Sequence, residues 1–356
     1  MFTYETHDVR VVCGPGALAA LPDVVQRLGA RRVLVVSTPG RTDERSAVTL
    51  ALGDACAGVF DRAVVHVPVA VVKAALEVSA SCDADAVLAV GGGSAIGLAK
   101  AMALEGARPV IAVPTTYSGS EMTAIWGITD AGGKRTGRDR RAAPRAVLYE
   151  PALTISLSPE VSAASGMNAI AHCVEALYAV EGNPVASLLA EAGLRTLARS
   201  LPEVVRHPGD LAARGDAFLG SHLAGRALDL ASMGLHHQLC HVLGGAFGVP
   251  HALTHAILLP HVVAFNAPAA PAAMRTIADA LGSTDAWTGL RQLNRTLGIT
   301  RTLADLGLRW EDLGRAAGLA IQGTYPNPRP VTRAGVRAVL EAAFTGEPPA
   351  LIEVSR

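Results

Sequence analysis

The chain has 356 residues, of which 50% are hydrophobic and 17% are charged, and its formal net charge is zero. This length exceeds one typical domain core and favours two domains. A neutral chain gives no support to nucleic acid or an anionic membrane as the main partner. The five cysteines are odd in number and form no CxxC pair, which is typical of reduced thiols in the cytoplasm.

The sequence contains no clear signal for export or membrane insertion. The N-terminal stretch MFTYETHDVR carries charges where a signal peptide needs an apolar region. Histidines interrupt the longest apolar run, so no segment predicts a transmembrane helix. We therefore expect a soluble, cytoplasmic protein of enzyme size.

The first 150 residues alternate short apolar runs with stretches of helical composition. Gly, Pro or Ser ends each apolar run, which is typical of buried strands. This alternation predicts parallel βαβ units whose sheet is covered on both faces. The predicted strands are 31–37, 63–67, 84–90 and 108–114, and the predicted helices are 42–53, 69–81 and 94–105.

The segment Gly127 to Pro151 predicts a hairpin with an Ala-Gly-Gly turn, then a basic loop and a last strand. After Pro159 the strand signals nearly vanish, and the Ala/Leu-rich remainder has helical spacing. We place the domain boundary within 152–160. The sequence thus predicts an α/β domain over 1–155 and an all-α domain over 156–356.

A glycine-rich turn, Gly91-Gly92-Gly93-Ser94, lies between a predicted strand and a predicted helix. Glycines let the backbone approach a ligand closely, and the free N–H groups at a helix start attract anions. The turn therefore predicts a pyrophosphate site, although it is not the GxGxxG fingerprint. A tight βα turn without a ligand is the alternative.

The neighbouring strand ends supply further polar residues. Ligands of an open parallel sheet bind at the carboxyl edge of its strands. The predicted strand 108–114 runs into PTTYSGSE, and the predicted strand 31–37 ends at STPGR. The expected cofactor-binding residues at this edge are Ser37, Thr38, Pro39, Gly91, Gly92, Gly93, Ser94, Thr115, Thr116, Ser118 and Ser120.

The strand end at STPGR bears on the choice between NADH and NADPH. An acidic residue at such a strand end binds the ribose 2′-hydroxyl and repels a 2′-phosphate. Thr38 occupies that position here, and Arg41 follows closely. We therefore expect NADPH to be accepted alongside NADH. The alternative is that Arg41 is only solvated.

Six of the eleven histidines lie in the segment LHHQLCHVLGGAFGVPHALTHAILLPH. On helices, the pairs Asn168/His172 and His237/His241 are each spaced i,i+4 and share a face. With His251, they would form a divalent metal site if position 168 were a carboxylate. Asparagine is a much poorer cation ligand, so we expect no metal.

Other residues of the histidine segment and of the threonine-rich loop have two interpretations. His236, His255 and His261 either join the site or support it. Tyr117, within PTTYSGSE, either donates a hydrogen bond to the substrate or packs in the interior.

The same holds for four residues of two other loops. Tyr325 and Arg329, in GTYPNPRPVT, either contact an anion or pack within their loop. Lys134 and Arg135 belong to a basic run that is either solvated or close to the cofactor phosphate.

Four motifs, GGGSAIGLAK, PTTYSGSEMT, GMNAIAHCVEALY and HHQLCHVLGGAFGVPHALTHAILLPHV, resemble those of the iron-containing alcohol dehydrogenase superfamily in order and spacing. Within it, the chain looks closer to the maleylacetate reductase branch. The resemblance covers nearly the whole chain. It implies a dehydroquinate synthase-like fold with an α/β nucleotide-binding domain, an all-α domain and an active site in the cleft between them. It also implies a homodimer that uses NADH or NADPH.

Three departures from the metal-dependent members agree with that branch. Those members carry GGGSxxD where this chain has Gly97 at the Asp position, and their PTTAGTGSE loop is one residue longer than PTTYSGSE. They bind metal through residues that match Asn168, His172, His237 and His251. Members of the maleylacetate reductase branch are thought to work without metal, and the resemblance implies the same here.

The resemblance further implies reduction of maleylacetate, a small dicarboxylate, to 3-oxoadipate in aromatic-compound catabolism. Such a site needs donors for an enolate oxygen, a proton, and groups that bind two carboxylates. We expect His241 to be the proton donor or oxyanion stabiliser, and nearby carboxylates to keep one or more histidines protonated. The expected catalytic residues are His241, His172, His237, His251, Asn168, Tyr117 and Tyr325.

Three alternatives remain open at this point. The chain is instead a metal-dependent alcohol dehydrogenase in which Asn168 still ligates iron or zinc. Or it is a nucleotide-binding scaffold without catalysis. Or it keeps the mechanism and reduces another enone acid.

Overall fold

The computed structural model describes residues 2–106, 108–130 and 133–351, and only the backbone of Lys134. The chain forms two compact units. The first, here called the sheet unit, comprises Glu5–Leu157 together with Leu211–Phe218. The second, the helical unit, comprises residues 2–4, Ser158–Asp210 and the chain from Leu219 onward.

The sheet unit is built on short strands. They are β1 Arg10–Cys13, β2 Val33–Val36, β3 Cys56–Phe60, β4 Ala86–Gly91, β5 Val110–Pro114, β6 Ile125–Asp130, β7 Gly133–Arg138 and β8 Ala146–Tyr149. Six of them form one parallel sheet in the order β1-β8-β5-β4-β2-β3. In β2, β4, β5 and β8 every residue is buried, as expected for parallel strands covered on both faces.

Four helices follow the strands of this unit. They are α1 Leu21–Arg27, α2 Thr42–Leu52, α3 Val69–Ser81 and α4 Gly93–Gly106. Val35, Leu88 and Ile111, on three neighbouring strands, share one apolar core with Leu21 of α1 and Val48 of α2. The helices thus cover the apolar strand residues, which explains why the strand sequences are continuously hydrophobic.

One predicted strand is wrong. The strand between α2 and α3 is β3, Cys56–Phe60, whereas the segment 63–67 has no strand structure. His66 and Val67 have positive φ angles of 66° and 47°, and Val65 is 67% exposed. A β-branched residue at positive φ cannot continue an extended strand, so the apolar run turns at the surface.

The predicted hairpin is present. β6 and β7 pair antiparallel, with Ile125 opposite Arg138 and Asp130 opposite Gly133. Ala131 and Gly132 of the predicted turn lie outside the described residues, as does the side chain of Lys134. Arg135 forms an exposed ion pair with Asp130, so it belongs to the hairpin itself.

Helices form the rest of the chain from Ser158 onward. They are α5 Pro159–Tyr178, α6 Pro184–Arg206, α7 Leu211–Leu230, α8 Leu235–Phe247, α9 His251–Asn266, α10 Pro271–Leu281, α11 Ala286–Thr296, α12 Leu313–Ala320 and α13 Arg333–Thr345. Several begin at a side-chain cap: Ser158, Asn183, Asp285 and Thr332 each accept a backbone N–H three residues further on.

The helix α9 is the centre of the helical unit. Leu258, Val262 and Phe265 on this helix are buried against residues of α8, α12 and α13. The segment His251–Ala269 is long and apolar enough to cross a membrane by composition, but 78% of its most apolar window is buried inside the protein. Its hydrophobicity is that of a core helix.

Close helix packing in this unit predicts a position-dependent response to Gly→Ala. An added Cβ at Gly220 of α7 would lie 2.6 Å from Leu197 Cγ and 3.2 Å from the Leu197 backbone N of α6. At Gly245 of α8 no atom lies within 4 Å. We expect Gly220→Ala to lower the free energy of unfolding by about 2 kcal/mol and Gly245→Ala to raise it by about 0.5–1 kcal/mol.

Urea denaturation followed by far-UV circular dichroism measures both changes. Equal effects of the two substitutions would contradict the assigned packing of α6 and α7.

Candidate functional site

The carboxyl ends of β2, β4 and β5 lie at one edge of the sheet, because the three strands are parallel neighbours. The chain runs from β2 outward to β3 and then returns to β4 on the other side of β2. Such a reversal of strand order marks the ligand crevice of an open α/β sheet. The structure therefore places all the predicted cofactor-binding segments at the expected edge.

The glycine-rich turn has the geometry that a phosphate ligand needs. Gly91 has a φ of +146°, which side-chain-bearing residues rarely adopt. A Cβ at Gly92 would lie 3.0 Å from the Thr116 side chain, whereas one at Gly93 would meet no atom of the described residues within 4 Å beyond its own helix and chain neighbours. The turn thus packs closely against the β5 loop, stays open at Gly93 and leads into the N-terminus of α4, as an anion site requires.

The loop after β5 is held by a buried lysine that the sequence reasoning missed. Lys100, on α4, is 2% exposed. Its Nζ donates to Ser120 O at 2.6 Å, Thr123 Oγ1 at 3.0 Å and Ile125 O at 3.0 Å. A buried ammonium needs such partners, so the lysine and the loop fix each other. A lone lysine in the apolar stretch AIGLAKAMAL is the one local signal of its burial.

A buried carboxylic acid adjoins the same loop. Glu121 is fully buried, and its Oε1 accepts a 2.8 Å hydrogen bond from the Tyr149 hydroxyl. Burial raises the pKa of Glu121 to about 7, against the opposing effects of its own backbone, Tyr149 and Lys100. Glu121 is the final residue of PTTYSGSE, so its buried hydrogen bond with Tyr149 anchors the end of this loop.

The predicted catalytic role of Tyr117 is not supported. The Tyr117 ring is fully buried and packs edge-on against Phe218. Its hydroxyl donates to Thr154 Oγ1 at 3.1 Å and accepts from Arg214 Nη1 at 2.9 Å. Because the hydroxyl is enclosed and hydrogen-bonded on both sides, Tyr117 is a structural residue of the sheet unit.

The arginine near the end of β2 is paired within the sheet unit. Arg41 Nη1 lies 3.0 Å from Glu44 Oε1, and the same carboxylate oxygen accepts from Ser156 Oγ at 2.7 Å. Glu44 is 6% exposed. Arg41 is therefore neither simply solvated nor a fully available phosphate ligand, since Glu44 already balances its charge.

Six histidines of the helical unit form one cluster. His172 comes from α5, His236, His237 and His241 from α8, and His251 and His255 from α9. The ring centroids of neighbouring members are 4.5–6.3 Å apart. The structure thus brings together the four histidines predicted to be catalytic and adds two whose role was open.

The cluster has an accessible side and an enclosed side. His241 and His251 are exposed, and their rings stack at 5.9 Å with an interplanar angle of 4°. His172 and His237 stack at 5.0 Å and are only 5% and 7% exposed. A ligand therefore meets His241 and His251 first.

A buried carboxylate fixes the start of α8, and the sequence reasoning missed it as well. Glu175 Oε1 accepts the backbone N–H of Gly234 and of His236, each at 3.1 Å. Glu175 Oε2 accepts the N–H of His237 at 3.3 Å and also contacts His237 Nδ1. The carboxylate satisfies N–H groups that a helix start otherwise leaves unpaired. Because Glu175 contacts Nδ1 of His237, the other ring nitrogen, Nε2, faces away from Glu175. His237 Nε2 is buried and has no protein partner among the described residues.

A chain of hydrogen-bonded imidazoles runs through the cluster. His251 Nε2 and His255 Nε2 are 3.1 Å apart, and His255 Nδ1 and His236 Nε2 are 2.8 Å apart. His236 Nδ1 is buried, and no described atom hydrogen-bonds to it. His236 and His255 therefore belong to the site, where they form its interior.

Burial acts against protonation of the enclosed histidines, whereas protonation of one or more members of the cluster by nearby carboxylates stays a prediction. Burial, and secondarily the neighbouring histidines, hold the pKa values of His172, His236 and His255 well below the ordinary 6.5. His261 is outside the cluster, and burial lowers its pKa to about 4.

The segment around Tyr325 and Arg329 packs against the helices. Tyr325 donates to Ala320 O at 3.1 Å, and Arg329 Nη1 donates to Phe265 O at 2.6 Å. Asn327, between them, bonds to Asn266 and to the backbone N–H of Leu235. This segment joins the start of α8 to the end of α9, which supports loop packing for Arg329 and leaves a catalytic role of Tyr325 a prediction.

Comparison with known proteins decides the family. The model of the iron-containing alcohol dehydrogenase family matches residues 8–151, and the model of the family's C-terminal domain matches residues 162–344. The chain belongs to the iron-containing alcohol dehydrogenase family. The predicted fold, an α/β domain followed by an all-α domain, is confirmed as the fold of this family.

Individual relatives are similar over nearly the whole length. Maleylacetate reductase of Sphingobium indicum is 49% identical over 348 residues, which are 98% of this chain and 99% of that one. Maleylacetate reductase 2 of Cupriavidus pinatubonensis is 51% identical over 345 residues, 96% of each chain. The crystal structure of maleylacetate reductase from Agrobacterium tumefaciens is 42% identical, has a TM-score of 0.94 and matches 98% of this chain and 99% of its own.

The family name implies iron, but the donor set present is a poor one for a divalent cation, because position 168 supplies a neutral amide. Asn168 offers a neutral amide whose Oδ1 is buried without a partner in the described part of the chain, and His255 engages Nε2 of His251. His237 fits better, since a carboxylate on Nδ1 is common for metal-bound histidines. An ion held by Asn168, His172, His237 and His251 would meet no carboxylate, so this donor set is weaker than one in which position 168 is Asp. Gly97 stands at the position of the family Asp. A Cβ there would lie 3.0 Å from Val67 Cγ2, so a side chain at this position would be crowded.

A second group of residues with metal-ligating side chains lies inside the cluster. His236, Cys240 and His255 are buried, with ligand atoms within 4.8 Å of one another. The two imidazoles are already hydrogen-bonded to each other. Burial, together with the charge of Glu175, raises the pKa of Cys240 well above its ordinary value, which favours the thiol over the thiolate.

The buried acid Glu121 makes stability of the sheet unit depend on pH. Its folded pKa of about 7 exceeds the ordinary 4.5, so the folded state keeps a proton that the unfolded chain releases. This stabilisation is complete below pH 4.5 and is lost as the pH rises to about 7. We expect Glu121→Gln, which cannot ionise, to gain about 3 kcal/mol relative to the native chain between pH ~5 and ~8.

Urea unfolding of both proteins across this pH range measures the difference. A constant difference would show that Glu121 is ionised throughout.

Proposed function

We propose that the protein reduces the carbon–carbon double bond of maleylacetate to give 3-oxoadipate, with NADH or NADPH and without metal. The observation that carries the proposal is the histidine cluster, in which His241 and His251 are accessible and Asn168 stands where the family binds metal. The names of the relatives at 49% and 51% identity support the same substrate.

The substrate is a dicarboxylate whose double bond is conjugated to a ketone. When bound, reduced nicotinamide would supply hydride to the alkene carbon β to that ketone, and negative charge would move to the ketone oxygen. The protein must then stabilise an enolate, protonate the α carbon and bind two carboxylates.

We assign stabilisation of the enolate oxygen and donation of the proton to His241. We assign a supporting role to His237. His241 is exposed, so it reaches a bound ligand first. His237 stacks on His172, and Glu175 holds its Nδ1, which directs Nε2 to the inside of the cluster. A ring fixed at one nitrogen presents the other in a defined direction, which stabilises developing charge without reorganisation.

The neutral residue at 168 suits a dianionic substrate. Two like charges ~4 Å apart repel by about 4 kcal/mol at an effective dielectric constant of ~20. A carboxylate at position 168 would therefore weaken binding unless a cation balanced it. The buried Asn168 Oδ1 and the imidazole of His172, whose pKa burial lowers, offer polar contacts without that repulsion, and His251 adds a third polar side chain.

The cofactor is assigned to the carboxyl edge of the sheet. The open Gly93 and the start of α4 suit the pyrophosphate, and Thr38 at the end of β2 leaves the ribose 2′ position without a repelling carboxylate. We propose that both NADH and NADPH are used, and that the protein is a cytoplasmic homodimer with free cysteines.

The activity is tested by following oxidation of NADH and of NADPH with freshly generated maleylacetate, before and after exhaustive chelation. We expect substrate-dependent oxidation that survives chelation. Activity lost on chelation and restored by iron or zinc would establish the metal-dependent alcohol dehydrogenase chemistry instead. Nucleotide binding without turnover of any enone acid would establish a scaffold.

The contact between Glu175 and His237 predicts a specific kinetic defect. In Glu175→Gln an amide replaces the carboxylate, so one of its two ends becomes a donor facing the N–H groups of His237. We expect kcat/KM to fall about 10- to 100-fold, as when a carboxylate is removed from a functional histidine.

Steady-state kinetics at several pH values, with thermal unfolding as a fold check, measure this defect. Glu181→Gln, at an exposed glutamate, is the matched control and should leave both readouts unchanged. Normal kinetics of Glu175→Gln would rule out a positioning role.

A further inference from the structure

We propose that His255 is a positioning residue that occupies Nε2 of His251 and so withholds this nitrogen from a divalent cation. The inference rests on the proposed metal-free function and adds a second cause to it, beside the amide of Asn168. His251 matches a metal-binding position of the family, whereas nothing in the family pattern assigns a role to His255.

The contact is defined by the hydrogen-bonded chain of three histidines. His255 reaches Nε2 of His251 with its own Nε2 at 3.1 Å and Nε2 of His236 with its Nδ1 at 2.8 Å. His255 and His236 are fully buried. Both ring nitrogens of His255 are therefore engaged, and the ring cannot rotate without breaking two hydrogen bonds.

The buried end of the chain sets the direction of its protons. If His236 carried its proton on Nδ1, a buried donor would lack any partner among the described residues. If the proton is on Nε2, only an acceptor lone pair is left unpaired, which is the commoner and less costly case. His236 then donates to His255 Nδ1, and His255 donates through Nε2 to His251 Nε2.

This direction determines what His251 offers. Its Nε2 lone pair accepts from His255, so its own proton is on Nδ1. That nitrogen lies beside Gly244, where an added Cβ would be 3.8 Å away. A cation needs an unprotonated ring nitrogen, and His251 then has none to give. It retains an N–H donor, which suits an oxygen of a substrate.

Zinc binding to the full chain tests the proposal, because Zn²⁺ prefers a four-coordinate site of histidine and carboxylate donors. The proteins are the native chain, Asn168→Asp, Asn168→Asp/His255→Ala and Asn168→Asp/His255→Gln. Isothermal titration with ZnCl₂ gives the affinity, and metal analysis gives the stoichiometry.

We expect restoration of the carboxylate alone to give weak binding, and removal of His255 as well to tighten it about tenfold or more. The glutamine variant keeps an amide donor toward His251 and should bind as weakly as Asn168→Asp. Equal affinity of all three Asn168→Asp proteins would overturn the role of His255 and leave the proposed function untouched. Tight stoichiometric zinc binding by the native chain would overturn the metal-free function, and this inference with it.

A second measurement does not depend on the fold of any variant. Nitrogen-15 spectra of the native protein with labelled histidine report which ring nitrogen carries the proton. We expect His251 as the Nδ1–H form and His255 as the Nε2–H form. An Nε2–H form of His251 would overturn the proposal.

Discussion

The buried carboxylate of Glu175 is the contact on which the histidine cluster depends. A helix start leaves N–H groups unpaired, and a buried carboxylate is unfavourable without donors. Glu175 and the first residues of α8 satisfy each other, so α5 and α8 are fixed in register. His172 lies on α5 close to Glu175, and His241 follows His237 by one turn of α8. The positions of these histidines therefore follow from one electrostatic contact and helical periodicity.

In the sheet unit, the buried positive charge of Lys100 orders unpaired backbone carbonyls, as the Glu175 carboxylate orders N–H groups in the helical unit. Lys100 donates to two backbone carbonyls and one hydroxyl of the loop after β5. In both units, a single buried ion orders backbone groups that regular secondary structure leaves unpaired. Each ion thereby fixes a segment with a proposed function: the cofactor loop in one unit, and the histidine-bearing helix in the other. Such contacts are costly to break, because removal of one partner leaves the other buried and unsatisfied.

The sequence pattern predicts the fold better than it predicts these contacts. Apolar runs and glycine breaks locate β2, β4 and β5, because hydrophobic periodicity and the glycines that flank a strand are properties of short segments. The wrong strand at 63–67 shows the limit: an apolar run that includes Val65 is exposed when the sheet has no place for it. Glu175 and Lys100 look like ordinary helix residues in VEAL and GLAK, since their burial is set by segments distant in sequence. The choice between the two interpretations of Tyr117 likewise depends on contacts distant in sequence, with Thr154 and Arg214.

The histidine positions are predictable from their spacing, but their charge state is not. Single rings have ordinary pKa values near ~6.5 in water, whereas the six rings of the cluster, four of them buried, have neighbouring centroids 4.5–6.3 Å apart and compete for protons. Two protonated imidazoles ~5 Å apart would repel by about 3 kcal/mol at an effective dielectric constant of ~20. The ligand-free cluster consequently favours neutrality.

A carboxylate with a divalent ion would carry a net charge of +1 at the position that Asn168 occupies here. An amide without an ion carries none, so under the proposed metal-free function protons on the histidines would supply the positive charge that opposes a dianion. A carboxylate near an imidazole raises its pKa, so a bound dicarboxylate would itself promote this protonation. On that proposal, a neutral cluster would supply an acid where a metal site would supply a Lewis acid.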